Sequence, residues 1–162
     1  KPSTTTVRQF CKAYSDNPKY EGACLRESWP YFRKEIVSGT GVEKFCTNHP
    51  NAVEELNCYR TATAIMGRMA LGSHDQAANA CNKIPSKVRP MCFTTVATAV
   101  LEENRRDGSG AVALCSKAEG ESKTECFTQL AQRSRFIYGN QHEARMQFCS
   151  LLPSEYQEPC RR

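Results

Sequence analysis

The sequence contains few of the residue patterns that mark a metal site, a haem site or a membrane span. No two cysteines form a C-x-x-C pair, and only three histidines occur, at positions 49, 74 and 142. The common zinc sites and covalent haem attachment are therefore not expected. No apolar run approaches the roughly 18 residues that a membrane helix requires. We expect no metal, no cofactor and no transmembrane segment.

The polar residues also lack a catalytic arrangement. No G-x-S-x-G motif is present, and the stretch GSGAVAL at 108–114 has neither the lysine nor the preceding strand of a phosphate-binding loop. Adjacent carboxylates such as Glu54 and Glu55 point in different directions on a helix. We expect no enzyme activity, and a small enzyme with an unrecognised site is the least favoured alternative.

Cysteine, in contrast, is abundant. The chain has ten cysteines in 162 residues, and its 40% hydrophobic and 24% charged content is typical of a folded domain. An even number of cysteines without metal-ligand spacing indicates five disulfides and an oxidising compartment. We expect a periplasmic or secreted location, and the absence of any N-x-S/T sequon agrees with a setting without N-glycosylation.

The cysteines recur in pairs with a constant period. The first cysteines of the five pairs are separated by 35, 35, 34 and 34 residues, and the second cysteines by 34 residues each time. A period in this range is the signature of a repeat architecture. The pairs are Cys11 and Cys24, Cys46 and Cys58, Cys81 and Cys92, Cys115 and Cys126, and Cys149 and Cys160.

Apolar residues follow each second cysteine with helical spacing. In the fourth repeat Phe127, Leu130 and Ile137 lie on one helical face. A shorter helix ends near each first cysteine, and a proline-containing turn follows in most repeats. Each repeat is therefore predicted to be a first helix, a turn and a longer second helix.

These repeats predict an all-α fold: an αα-hairpin solenoid of about four and a half 34-residue repeats, with one disulfide per hairpin, in a single domain over residues 1–162. The last unit is expected to end without a second helix, so that its turn acts as a cap or the chain is part of a longer array. The predicted units are 1–38, 39–72, 73–107, 108–139 and the partial unit 140–162.

Antiparallel helices bring the end of the first helix close to the start of the second, so we expect each disulfide to join the two cysteines of one pair. The alternative joins a second cysteine to the first cysteine of the next repeat. Those residues would lie roughly 30 Å apart along the second helix. A disulfide needs Cα atoms within about 7 Å, which favours pairing within each repeat.

A tandem array of 34-residue helix–turn–helix units resembles the tetratricopeptide repeat and its relatives. The resemblance covers the whole chain in period and unit design. The family's W-x-x-L-G-x-x-Y run occurs in none of the units, and the cysteine pairs are foreign to that motif. The resemblance implies a fold of stacked hairpins. Because the motif is missing, no binding residue is carried over from the family.

The three histidines are predicted to be structural. His74 and His142 occupy the same position two repeats apart, roughly 20 Å from one another by helix spacing, so they cannot share a metal. Both follow a glycine turn, where a role at a helix start is expected. His49 lies in an apolar position before Pro50, where we expect a packed and hydrogen-bonded ring.

The second helices carry basic and aromatic residues that fall off the apolar face. Such composition is typical of protein interfaces. We expect the chain to be an extracytoplasmic protein-binding or scaffolding module, and the net charge of +5 allows an acidic protein partner. The alternative is a structural accessory subunit of a larger assembly, and specific nucleic-acid binding is not expected. The predicted contact residues are Tyr31, Arg33, Lys34, Arg133, Arg135 and Phe136.

Overall fold

The computed structural model describes residues 2–47, 49–69 and 72–162. The predicted repeats also include Lys1, Asn48, Ala70 and Leu71, which lie outside the described residues. The described part contains eleven α-helices and no β-strand, which confirms the all-α class. The helices are α1 (Thr4–Cys11), α2 (Pro18–Glu27), α3 (Arg33–Val37), α4 (Val42–Cys46), α5 (Ala52–Met69), α6 (His74–Asn82), α7 (Arg89–Glu103), α8 (Ser109–Ser116), α9 (Gly120–Tyr138), α10 (His142–Leu151) and α11 (Ser154–Arg161).

The helices form five disulfide-linked hairpins in chain order. Hairpin 1 contains α1, α2 and α3, hairpin 2 contains α4 and α5, hairpin 3 contains α6 and α7, hairpin 4 contains α8 and α9, and hairpin 5 contains α10 and α11. One disulfide joins the two cysteines of each hairpin, with Cα atoms 5.5 to 5.7 Å apart. This confirms the predicted arrangement of one disulfide per hairpin.

The second helices form a row through the molecule. Helix α2 packs against α5, α5 against α7, α7 against α9, and α9 against α11. The residue that follows the second cysteine is buried in this row, as the helical spacing predicts, at Leu25, Tyr59, Phe93 and Phe127. The hydrophobic core therefore runs from hairpin to hairpin along the second helices.

The second cysteine lies inside the second helix, whereas the repeat pattern predicts it at the helix start. Helix α5 begins at Ala52 and contains Cys58 well past its first turn. The start is set in the turn, where the side chain of Asn51 accepts a hydrogen bond of 3.0 Å from the backbone N–H of Glu54. A side-chain cap of this kind satisfies a free N–H group and fixes where the helix begins.

The second helix of hairpin 1 is interrupted, whereas the helical spacing predicts a continuous one. Helix α2 ends at Glu27, a 3₁₀ segment follows at Trp29–Phe32, and α3 resumes at Arg33. The interruption contains Pro30, which has no N–H to donate and whose ring displaces the preceding turn.

Hairpin 5 has a second helix, which corrects the expectation that the last unit ends without one. Pro153 precedes α11 with a φ of −53°, a value that suits the entry to a helix. Helix α11 packs against both α9 and α10. Its Tyr156 stacks on Phe127, with ring centroids 5.2 Å apart.

Two glycines that follow second helices have different roles. Gly139 ends α9 with a φ of 52°, a left-handed conformation that favours glycine. Gly108 has an ordinary φ of −76°. Its missing side chain instead leaves room for the ring of Phe148, which packs directly against it.

Candidate functional site

The predicted contact residues on the second helices are all exposed, but the structure does not bring them together. Tyr31 lies on the 3₁₀ segment of hairpin 1, whereas Phe136 lies on α9 of hairpin 4 and is 87% exposed. Helices α5 and α7 separate these two hairpins in the row. At 8–10 Å per helix, the two groups are about 24–30 Å apart. One small ligand cannot contact both groups, so a shared partner would have to be large.

The basic residues of hairpin 1 line a cleft between α3 and α6. Arg33 and Lys34 share a cavity of about 630 Å³ with Lys83 of hairpin 3 and the amide side chains of Gln76 and Asn79. Three cationic side chains around one concave surface attract anionic groups. The sequence predicted two of these cations. Lys83 was missed because it lies at the end of α6, in another repeat.

The basic residues of hairpin 4 have a mixed environment. Arg133 lies in a cleft of about 370 Å³ that also contains Arg68, Glu102 and Glu103. Two carboxylates beside two guanidinium groups leave little net potential. Arg135 is exposed on the same helix. Among the described residues that line them, the cleft between α3 and α6 has three cations and no carboxylate, whereas the cleft around Arg133 has two cations and two carboxylates.

A third surface, which the repeat pattern does not indicate, lies on hairpin 1. The aromatic cleft, as we call it, has a volume of about 750 Å³ and runs between α1 and α2. Its apolar walls carry four exposed aromatic side chains, of which Phe10 is 71% exposed. The Cys11–Cys24 disulfide lies along it. The aromatic residues are Phe10, Tyr14, Tyr20 and Tyr31.

The positions of Phe10 and Tyr14 are buried in hairpin 5. Phe10 directly precedes its cysteine, and so does Phe148, which is 2% exposed. Tyr14 corresponds to Leu152, which is also buried. In hairpin 5 the preceding hairpin covers the position of Phe10, because Phe148 packs against Tyr138 on α9, and no described element covers it in hairpin 1. Aligning the repeats on their cysteines places these residues in the apolar positions, but it does not show that they are exposed.

His49 is packed as its apolar position predicts. Its Nδ1 lies 2.9 Å from the carbonyl oxygen of Cys46, and its ring meets the edge of Phe45 with centroids 6.4 Å apart. Burial lowers the pKa of His49, and the nearby Arg26 guanidinium lowers it further, against the opposing effect of the hydrogen bond to Cys46. Burial therefore favours the neutral form of the ring.

The other two histidines begin helices. His74 is the first residue of α6, but the cap is made by Ser73, whose hydroxyl accepts the N–H of Gln76 at 3.3 Å. His142 is the first residue of α10 and is exposed. The predicted position at a helix start is confirmed for both histidines, and the capping group in hairpin 3 is the neighbouring serine.

Among residues 2–47, 49–69 and 72–162, no group of three or more histidine, cysteine, aspartate or glutamate side chains is placed to hold a metal ion. Within the same ranges, no helix has both the length and the apolar character that crossing a membrane requires. All ten cysteines are in disulfides, so none of them can act as a thiolate ligand or a nucleophile in this state.

Fold and surface together define a class: an all-α protein of disulfide-linked helical hairpins with an exposed aromatic cleft on its first hairpin. Comparison with protein-family models, curated proteins and solved structures finds no match for this chain.

Proposed function

We propose that this chain is a protein-binding or scaffolding module that acts outside the cytoplasm. The observation that carries the proposal is the aromatic cleft. A cluster of exposed aromatic side chains around a concave surface has the composition of a protein-binding hot spot, where tyrosine and other aromatic residues supply most of the contact energy. In hairpin 5 the equivalents of Tyr20 and Phe10, which are Tyr156 and Phe148, already contact the preceding hairpin.

The architecture supports the same proposal. The 34-residue period and the row of second helices are typical of a solenoid of the tetratricopeptide type. Such arrays present an extended surface that is used to bind other chains. We therefore assign the chain to a solenoid resembling that family as part of the proposal.

The disulfides support the proposed compartment. Five disulfides in a chain of this size persist where the surroundings are oxidising. A periplasmic or secreted location meets that condition. Each bond closes a short loop and contributes about 3 kcal/mol in the chain-entropy model, so loss of all five in a reducing compartment would remove much of the stability.

An acidic partner is also part of the proposal. The net charge is +5, and Arg33, Lys34 and Lys83 line one cleft. Complementary charge mainly raises the association rate and selects the partner. The basic cleft would then orient an acidic surface, while the aromatic cleft would supply buried apolar area.

A second candidate function is that of a structural accessory subunit in a larger assembly. The same aromatic cleft favours it, because permanent interfaces are more apolar than transient ones. The two candidates differ in solution. A binding module is monomeric when purified, whereas a permanent subunit associates as its concentration rises. Sedimentation velocity over a hundredfold range of protein concentration separates them.

The function is tested by capture from the native source with three immobilised forms of the oxidised protein. These are the wild type, the double variant Phe10→Ser with Tyr20→Ser, and the control Val53→Ser, which removes an exposed apolar residue outside the cleft. We expect quantitative mass spectrometry to find a protein retained by the wild type and the control but depleted on the double variant. Equal retention on all three forms would contradict the assignment of the cleft.

A further inference from the structure

The aromatic cleft has the shape and composition of an interface that already occurs within this chain, and this similarity points to one kind of partner. We propose that the cleft binds an amphipathic α-helix from a partner protein, in the place that the second helix of a preceding hairpin would occupy. The proposal rests on the proposed protein-binding function and specifies what the partner presents.

The interface in question is seen between consecutive hairpins. Phe45 of hairpin 2 packs against Phe32 of hairpin 1, with ring centroids 5.3 Å apart. Phe148 of hairpin 5 packs against Tyr138 on α9, at 5.7 Å. Phe45 and Phe148 each directly precede the first cysteine of their hairpin, as Phe10 does in hairpin 1. In both cases the covering side chain comes from the second-helix segment of the hairpin before.

Hairpin 5 is the closest internal match to hairpin 1. Tyr20 and Tyr156 both lie four residues before the second cysteine, whereas hairpins 2, 3 and 4 have a glutamate, a valine and a serine there. In hairpin 5 the covering helix is α9, whose Phe127 stacks on Tyr156 at 5.2 Å. A helix resembling α9 is therefore the expected occupant of the aromatic cleft.

The internal interfaces also specify the spacing of the contact residues on that helix. On α9, Phe127 and Tyr138 are eleven residues apart and contact the two aromatic positions of hairpin 5. Ser134, seven residues after Phe127, lies between them, with its hydroxyl 3.5 Å from the sulfur of Cys160. Spacings of seven and eleven residues return to the same side of an α-helix. The partner helix should carry large apolar residues eleven positions apart, with a small residue between them over the Cys11–Cys24 disulfide.

A second copy of this chain does not offer such a helix in its described residues. Helices α5, α7 and α9 already bury the required face against the next hairpin. Helix α11 has 8 residues, fewer than the eleven-residue spacing requires, and its Glu155, Glu158 and Arg161 are exposed. A second copy is therefore not the expected source of the helix.

The test uses a peptide derived from α9 as the probe. The peptide has the sequence of residues 120–138 with Cys126→Ser, a fluorescent label at its N-terminus, and a lactam bridge between Lys and Glu at positions 132 and 136. Both bridged positions are exposed in the protein, so the bridge holds the helix without altering the contact face. Binding to the intact, oxidised protein is measured by fluorescence anisotropy and by competition with unlabelled peptide.

We expect saturable binding that is at least about tenfold weaker for the protein variant Phe10→Ser with Tyr20→Ser, and unchanged for the control Val53→Ser. A peptide with Phe127→Glu and Tyr138→Glu, which keeps the bridge and the length, should not compete. The proposal would be overturned if the α9 peptide showed no saturable binding, or if it bound the wild type and the cleft variant with equal affinity. Concentration-dependent dimers that disappear in the cleft variant would identify a second copy as the occupant and would also overturn it.

The peptide result is read together with the capture experiment. If a native partner is retained through the cleft and the α9 peptide does not bind, the protein-binding function stands and the helix proposal fails. If the peptide binds through the cleft and no native partner depends on it, the cleft's ability to hold a helix stands and the proposed function fails. If the proposed function and the helix proposal are both correct, the peptide should displace the captured partner from the cleft.

Discussion

Arg26 of hairpin 1 forms an ion pair with Glu54 of hairpin 2 across the interface between the two hairpins. The Glu54 side chain is only 7% exposed and also lies against Gly22. Its position is equivalent to that of Val88 in hairpin 3, which is apolar and buried. A buried carboxylate therefore stands where a later repeat has a hydrophobic contact, and it is tolerated because the guanidinium compensates its charge.

Removing one member of this pair should be more damaging than removing both. We expect Glu54→Ala to lower the free energy of unfolding by about 3–5 kcal/mol, because it leaves a largely buried cation without its counter-charge. The double variant Arg26→Met with Glu54→Leu should lie within about 1 kcal/mol of the wild type or exceed it. Urea unfolding followed by circular dichroism measures both. Equal losses in the free energy of unfolding for the single and double variants would show that Arg26 does not compensate the buried charge of Glu54.

The disulfide of hairpin 3 should act locally. We expect Cys81→Ala with Cys92→Ala to cost roughly 2–4 kcal/mol and to leave hairpins 1 and 5 helical, because each bond closes a loop within one hairpin. Hydrogen exchange resolved by peptide tests this, with increased exchange expected in α6 and α7 only. Loss of helix throughout the chain would show one cooperative core.

Tyr59 should make stability depend on pH in the alkaline range. Burial raises the pKa of Tyr59 to about 12, and the Glu55 and Glu43 carboxylates act in the same direction. Because the pKa is higher in the folded chain than in the unfolded one, the stabilisation is complete below about pH 10 and is lost as the pH rises towards 12.

The variant Tyr59→Phe removes this titration. We expect its stability to fall less steeply than that of the wild type between pH 10 and 12, in brief incubations. Near neutral pH the variant should be equal to or slightly more stable than the wild type, since the buried Tyr59 hydroxyl has no hydrogen-bond partner among the described residues. Parallel pH profiles for the two proteins would argue against the raised pKa.

Gly108 should not tolerate a side chain. A methyl group there would overlap the ring of Phe148 and lie 3.2 Å from the side chain of Leu101. We expect Gly108→Ala to destabilise the protein by about 1–3 kcal/mol, as overpacking in a close-packed interior does. Gly72→Ala is the control, because no atom of the described residues lies within 4 Å of its added methyl group. Thermal unfolding compares the two, and a neutral Gly108→Ala would mean that Phe148 moves without cost.

Charge reversal on α9 tests whether hairpin 4 takes part in binding. Arg135→Glu is the better choice, because Arg133 lies beside Glu102 and its reversal would place like charges together. We expect Arg135→Glu to weaken the captured partner's binding and reduce its salt dependence, with stability unchanged within about 0.5 kcal/mol. Lys123→Glu makes the same change in charge on the same helix and is the control. Equal effects of the two variants would indicate a general response to net charge.

The hairpins could be predicted from the sequence because the cysteines and the helical spacing carry the same period. The burial of Phe93 and Phe127 followed from that spacing. The interruption in hairpin 1 also has a signal in the sequence, which is Pro30. The apolar spacing continues past Pro30 to Ile36, so the pattern still predicted one continuous helix. The start of α5 depended on a side-chain cap at Asn51, and one hydrogen bond leaves no periodic signal.

The aromatic cleft could not be predicted by the same reasoning. Phe10 and Phe148 have the same place in the repeat and the same chemistry, so a repeat alignment treats them alike. Whether such a side chain is buried depends on the neighbouring hairpin, and periodicity within one helix carries no information about that neighbour. Lys83 was missed for a related reason, since it lies near Arg33 and Lys34 only in the folded chain, where α3 and α6 line one cleft.

The disulfides have a mechanical consequence. Each one bridges its turn with Cα atoms 5.5 to 5.7 Å apart and bypasses the chain between two cysteines that are 11 to 13 positions apart in sequence. Tension applied to the ends of the molecule would pass through the sulfur atoms, and the turns would carry no load. Reduction of one bond would release its loop and lengthen the extended chain by roughly 30–40 Å. When the molecule is stretched, the reduction of each disulfide would therefore appear as a separate step in its length.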